Sequence, residues 1–137
     1  MKRPWPVVFL AVLECAAAAM AIVVSISLLM PGTRLDRMWD LNPAAQAAFA
    51  SSGRQIAVLL LFIGALAAAA GIGLLTRRLW AWLLSLAIFG INALGDAVSL
   101  LVTHDWARGL AGIAIDALFI YLLLSPGVRA YFLRRSR

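Results

Sequence analysis

Four runs of about twenty mostly apolar residues limit what this chain can become. They cover residues 7–30, 55–75, 79–102 and 106–124. At a rise of about 1.5 Å per residue, each is long enough to cross the ~30 Å hydrocarbon layer of a bilayer as one helix. Apolar residues make up 64% of the 137 positions and charged residues only 13%. A soluble domain is roughly half apolar and a quarter charged, so this chain lacks the polar surface to face water. Lipid must be most of its solvent, and in lipid every backbone N–H and C=O has to be satisfied within the protein.

The breaks between the runs fit spanning helices. Pro31-Gly32 closes the first, and Arg77-Arg78 leaves a tight turn between the second and third. Thr103, His104 and Asp105 separate the third from the fourth, with Asp105 placed as an N-cap. Ser125-Pro126-Gly127 ends the fourth. The first run is longer than the ~7–15 apolar residues of a secretory signal, which predicts a retained span. With the N-terminus inside, eight Lys and Arg residues fall on the cytoplasmic side and four on the other. The positive-inside rule then predicts both termini in the cytoplasm of a bacterial-type inner membrane. Trp5, Trp39, Trp80, Trp82 and Trp106 all fall near span ends, as interfacial anchors do. The expected architecture is a single all-α domain over residues 1–137, an up-down four-helix transmembrane bundle with short connections.

Residues 33–53 form the expected outer segment between the first two spans. Thr33 and Asp36 are spaced as a capping box, predicting a short helix over 34–41. Asn42-Pro43 reads as an N-cap followed by proline at the first helical position, predicting a second short helix to about Ala50. The pair is expected either to lie on the outer leaflet or to act as a lid.

The net charge is +6, but the positive charges sit at the ends of apolar runs, where lipid head groups account for them. That excludes a nucleic-acid surface. One cysteine, Cys15, and one histidine, His104, provide neither a disulfide nor a closed metal site, and no cofactor motif is complete. No catalytic constellation forms, so the expectation is a protein without enzymatic activity.

The candidate residues are the polar ones inside the runs. Glu14, Asp96 and Asp116 are carboxylates on three different spans, and intramembrane acids often mark proton paths or helix contacts. In the third span Ser85, Asn92, Asp96, Ser99 and Thr103 recur at helical spacing as one polar stripe, which is expected to face protein or water. In the fourth, Arg108, Gly112 and Asp116 share a face, with Gly109 beside it. In the first, Glu14, Ala17, Ala18, Ala21 and Ser25 do so, and in the second Gly64, Ala67, Ala68, Ala70 and Gly71 make a small-residue seam. Arg54 and Arg108 lie near the outer end, within snorkelling reach of Asp96. Three roles remain open for the carboxylates: holding helices together, exchanging protons, or contacting a larger partner. The expected partners are the bilayer together with a second copy or a larger membrane complex.

The stretch from Gly71 to Phe132 is similar to a loosely defined group of small, uncharacterised bacterial inner-membrane proteins. The likeness rests on Gly71-Ile72-Gly73-Leu74-Leu75, on Arg77-Arg78-Leu79-Trp80-Ala81-Trp82, on Asp96, Gly112 and Asp116, and on Val128-Arg129-Ala130-Tyr131-Phe132. It implies four spans and no particular activity. Glu14 in the first span also resembles the membrane-embedded glutamate of small multidrug transporters. This chain departs from them in its long outer segment, its extra acids, and Cys15-Ala16-Ala17-Ala18-Ala19 beside the glutamate. Gly95-Asp96 resembles half of the GxGD pattern of intramembrane aspartyl proteases, with Ala93 where the first glycine belongs.

Overall fold

The computed structural model describes residues 3–51, 53–104 and 106–133, without the side chains of Ala44, Ala45, Ala48, Ala50, Thr103 and Arg108. The expected Asp105 cap and the charges of Lys2, Arg134, Arg135 and Arg137 lie outside the described residues. Among those described, all regular structure is helical. The elements are α1 (Trp5–Leu29), a 3-10 segment (Arg34–Leu41), α2 (Pro43–Ser51), α3 (Gly53–Leu75), α4 (Leu79–Thr103), α5 (Trp106–Leu124) and α6 (Pro126–Leu133). Helices α1, α3 and α4 are each long and apolar enough to cross a membrane. A fourth span exists if α5 and α6, bent by 53° at Ser125, are counted together.

The chain divides into two compact units, one of Met1–Leu13 with Ala69–Arg137 and one of Glu14–Ala68. In the first unit, Val7, Leu10, Leu74, Trp82, Phe89 and Leu123 form a core with Val128, Tyr131 and Phe132 of α6. Helix α5 ends at Leu124, where the sequence reading placed the break, but α6 was not anticipated. Pro126 sits at the first position of that helix, where its missing N–H leaves no bond broken. The same logic, applied to Asn42-Pro43, does predict α2.

The α3–α4 turn is built on backbone geometry. The N–H of Arg78 bonds to Gly73 O at 2.9 Å and that of Arg77 to Leu74 O at 3.1 Å, the paired bonds of a Schellman motif. Its left-handed residue is Arg77, with φ of 57°, where glycine is usual. Left-handed backbone costs an L-residue about 1–2 kcal/mol. The guanidinium offsets this by donating to Tyr131 O at 2.5 Å and lying 4.7 Å from the centre of the Tyr131 ring. Gly73 has to be glycine, because a Cβ there would run into the Ala81 methyl and come within 3.1 Å of the Trp80 ring. Trp82 donates its indole N–H to Leu123 O at 2.9 Å and stacks on Phe132 at 6.3 Å.

Trp5, Trp80 and Trp106 are exposed, as interfacial anchors should be. Trp82 and Trp39 correct the expected aromatic belt: both are buried, and each hydrogen-bonds inside its own unit.

In the second unit α1 and α3 pack closely. A Cβ at Gly64 would lie 3.0 Å from Ile22 Cγ1 and 3.2 Å from Ala18 O, so the small-residue seam does allow backbone approach. Ser25 Oγ donates across it to Ala57 O at 2.6 Å. Ala18 and Ser25 are buried on that face of α1 while Ala17 is exposed, which narrows the expected stripe.

Residues 34–41 are helical as expected, in the form of a 3-10 segment, but the capping box does not close. Asp36 reaches past Thr33, accepting the Gly32 N–H at 2.6 Å and the Ser27 hydroxyl at 2.9 Å. Ser27 Oγ in turn accepts the Trp39 indole N–H at 2.7 Å. Runs of 3-10 helix beyond three or four residues are uncommon, and this tether to the end of α1 is what holds one of eight.

Two serines therefore separate by their partners. Ser27→Ala removes the acceptor of a buried indole and one donor to Asp36, and is expected to cost ~1–3 kcal/mol. Ser85, whose buried hydroxyl has no partner among the described residues, should tolerate alanine with no loss. Thermal unfolding in detergent, followed by circular dichroism, measures both.

Candidate functional site

The polar residues of α4 and α5 are set by the way these two helices pack. Glycine makes the approach possible: Gly109 lies against Leu100, where a Cβ would come within 2.8 Å of the Leu100 Cβ. One turn further on, Gly112 lies against the Asp96 carboxylate, and a Cβ there would fall 2.6 Å from Asp96 Cγ. Asp116 follows Gly112 by one turn on the same face and is buried. The result is a cavity of about 550 Å³ lined by Asn92, Asp96, Gly112 and Asp116, with Ile91, Gly95 and Ile115 at its edges.

Two acids share this space, Asp116 buried and Asp96 half-buried. The arrangement can carry a proton on either acid, accept hydrogen bonds from a neighbouring helix, or attract a cation. The polar stripe on α4 is divided: Ser85 is buried beside Trp82 and Phe89, whereas Asn92 and Ser99 are exposed. The division has a geometric reason. The buried face of α4 runs through Ala81, Trp82, Ser85, Phe89 and Leu100, and Asn92 lies off that line. On the side of Gly95, one turn from Asn92, the helix surface is open, because a Cβ there would meet nothing within 4 Å.

The other candidates lie elsewhere. Glu14 belongs to the second unit, where it is buried on α1. Arg54, expected as a partner for Asp96, lines a cavity of the second unit with Asp36, Ser27 and Trp39. The side chain of Arg108 is outside the described residues. His104, with φ of 56°, forms the left-handed C-terminal stop of α4, its N–H bonded to Leu100 O at 3.0 Å. That is a structural task for the residue. Among the described residues no cluster of His, Cys, Asp and Glu could hold a metal ion.

The sequence reading missed the Ser27–Asp36–Trp39 cluster. Its signal was a serine in the last turn of the first span facing an indole, a side chain that can only donate.

Apolar helices of spanning length, with acids set between two of them, define a multi-pass helical membrane protein. The chain belongs to the family of the domain of unknown function DUF7144, whose profile matches residues 6–128. That match takes in all of the helices up to the first turn of α6. No curated protein and no solved structure matches the chain.

The glycines of this hairpin are not equivalent. Gly112→Ala drives a methyl into the Asp96 carboxylate and should destabilise the protein by ~1–3 kcal/mol, the usual cost of overpacking. Gly90→Ala and Gly95→Ala should leave stability unchanged or slightly raised, since alanine is the better helix former. Melting temperatures of the three variants in one detergent give the comparison.

Proposed function

We propose that this chain is a non-enzymatic inner-membrane protein that acts by packing helices against a second copy of itself or a larger membrane complex. In this reading four spans run up and down, α5 and α6 together forming the last, with both termini in the cytoplasm. One observation carries it. Asn92 is exposed and Asp96 half-open in the middle of a helix of spanning length. Hydrocarbon offers such groups no hydrogen bond, so a polar edge at this depth calls for a protein partner. The open helix surface at Gly95, one turn from Asn92, suits close approach of another helix.

Two differently tagged copies expressed together should co-purify from native membranes, or one copy should bring down a stable larger assembly. Asn92→Leu and Gly95→Trp should abolish that association while the isolated chain keeps its helicity. Undiminished association in both variants would remove this face as the interface.

A second reading is supported by the cavity that Asp96 and Asp116 share. Paired intramembrane acids serve proton exchange in transporters. A small proton-coupled exporter then predicts that Glu14→Gln, Asp96→Asn and Asp116→Asn stop proton-coupled flux in reconstituted vesicles without unfolding the protein. Normal flux in all three would eliminate it.

A further inference from the structure

The second unit contains a cavity of about 550 Å³ of its own. It lies where the last turn of α1, the 3-10 segment, α2 and the first turn of α3 come together. Its polar groups have opposite charges. Asp36 is half-buried and already accepts from Gly32 N–H and Ser27. A carboxylate offers about four lone-pair sites, so it retains capacity for a further donor. Arg54 is exposed at the cavity edge, with a planar set of donors suited to phosphate. Trp39 and Phe49, with ring centres 6.2 Å apart, line the cavity beside Asp36, and Leu28 and Leu29 supply an apolar wall.

A second observation concerns Arg54 itself. It also borders a neighbouring slot of about 360 Å³, with Gln55 and Val58. The slot continues onto an apolar stripe of α3, since Phe62 follows Val58 by one turn and both are exposed. Arg54 thus stands between a polar cavity at the helix ends and a hydrocarbon-facing track.

We infer that this unit binds an aminophospholipid, with its ammonium at Asp36, its phosphate at Arg54 and an acyl chain along Val58 and Phe62. Asp36 disfavours a purely anionic headgroup, and Arg54 a purely cationic one. The aromatic pair adds attraction for the ammonium. The volume lies within the ~300–1,000 Å³ range of small-ligand sites. The adjoining apolar track is what favours a lipid over a soluble headgroup compound.

The experiment is native mass spectrometry of the full chain released from mixed vesicles of phosphatidylethanolamine and phosphatidylglycerol. The wild type should retain phosphatidylethanolamine in preference to phosphatidylglycerol. Losing a charge-assisted contact should weaken that retention about tenfold in Arg54→Gln. Arg54 is exposed, so the variant should keep its melting temperature. Val58→Lys, which blocks the track while leaving both headgroup contacts, should weaken it as well. Soluble phosphoethanolamine tells the sources apart: failure to displace the lipid supports a membrane lipid as the ligand, and full displacement supports a free headgroup compound in the same site. Equal retention of the two lipids by the wild type would overturn the proposal, as would undiminished retention in Arg54→Gln.

Discussion

A donor that leaves water for hydrocarbon must find its acceptor in the protein, and the placement of polar side chains in this chain follows from that requirement. Trp82 gives its indole proton to Leu123 O, Ser25 gives its hydroxyl proton to Ala57 O, and Trp39 gives its indole proton to Ser27. Two of these bonds end on backbone carbonyls of another helix. Ala57 O, inside α3, keeps a second lone pair beside its helical bond, while Leu123 O, in the last turn of α5, has no helical donor to lose. Polar side chains thereby fix which helices adjoin, in a setting where apolar surface alone discriminates poorly, since lipid tails are as apolar as leucine.

Glycine and alanine govern how near the helices come. Gly64 admits α1 against α3 within the second unit, and Gly73, Gly109 and Gly112 admit close neighbours within the first. Gly90 and Gly95 face nothing, and the exposed Asn92 lies one turn from Gly95 on the same side of the helix. Inside a unit the short side chain is used up by a neighbour. On the open side of α4 no described residue comes near it.

Much of the fold was legible in the sequence because spanning helices depend on length and composition. The predicted 7–30, 55–75, 79–102 and 106–124 differ from α1, α3, α4 and α5 by at most two residues at any end. What the sequence did not reveal depends on direction. The period of α4 places Asn92 on one edge with Ser85 and Asp96, but only the packing of Trp82, Phe89 and Leu100 decides which part of that edge is covered. The capping box at Thr33 failed for a similar reason. Spacing allows Asp36 to turn back to Thr33, but Ser27, brought near by the turn after α1, gives it a better use. The candidate acids were found because charge inside an apolar run is conspicuous. Their grouping was not, and Asp96 and Asp116 line one cavity because Gly112 leaves room for a carboxylate. Helix α6 was hidden by its shortness and by a proline read as a terminator.

The contact between Gly112 and Asp96 also ties the evolutionary freedom of two positions that stand sixteen residues apart. As long as an aspartate occupies position 96, any larger residue at 112 makes its carboxylate move aside. A relative that shortens the acid to serine or alanine regains room for a methyl opposite. Across the family these two columns should therefore drift together, whatever the acid is used for.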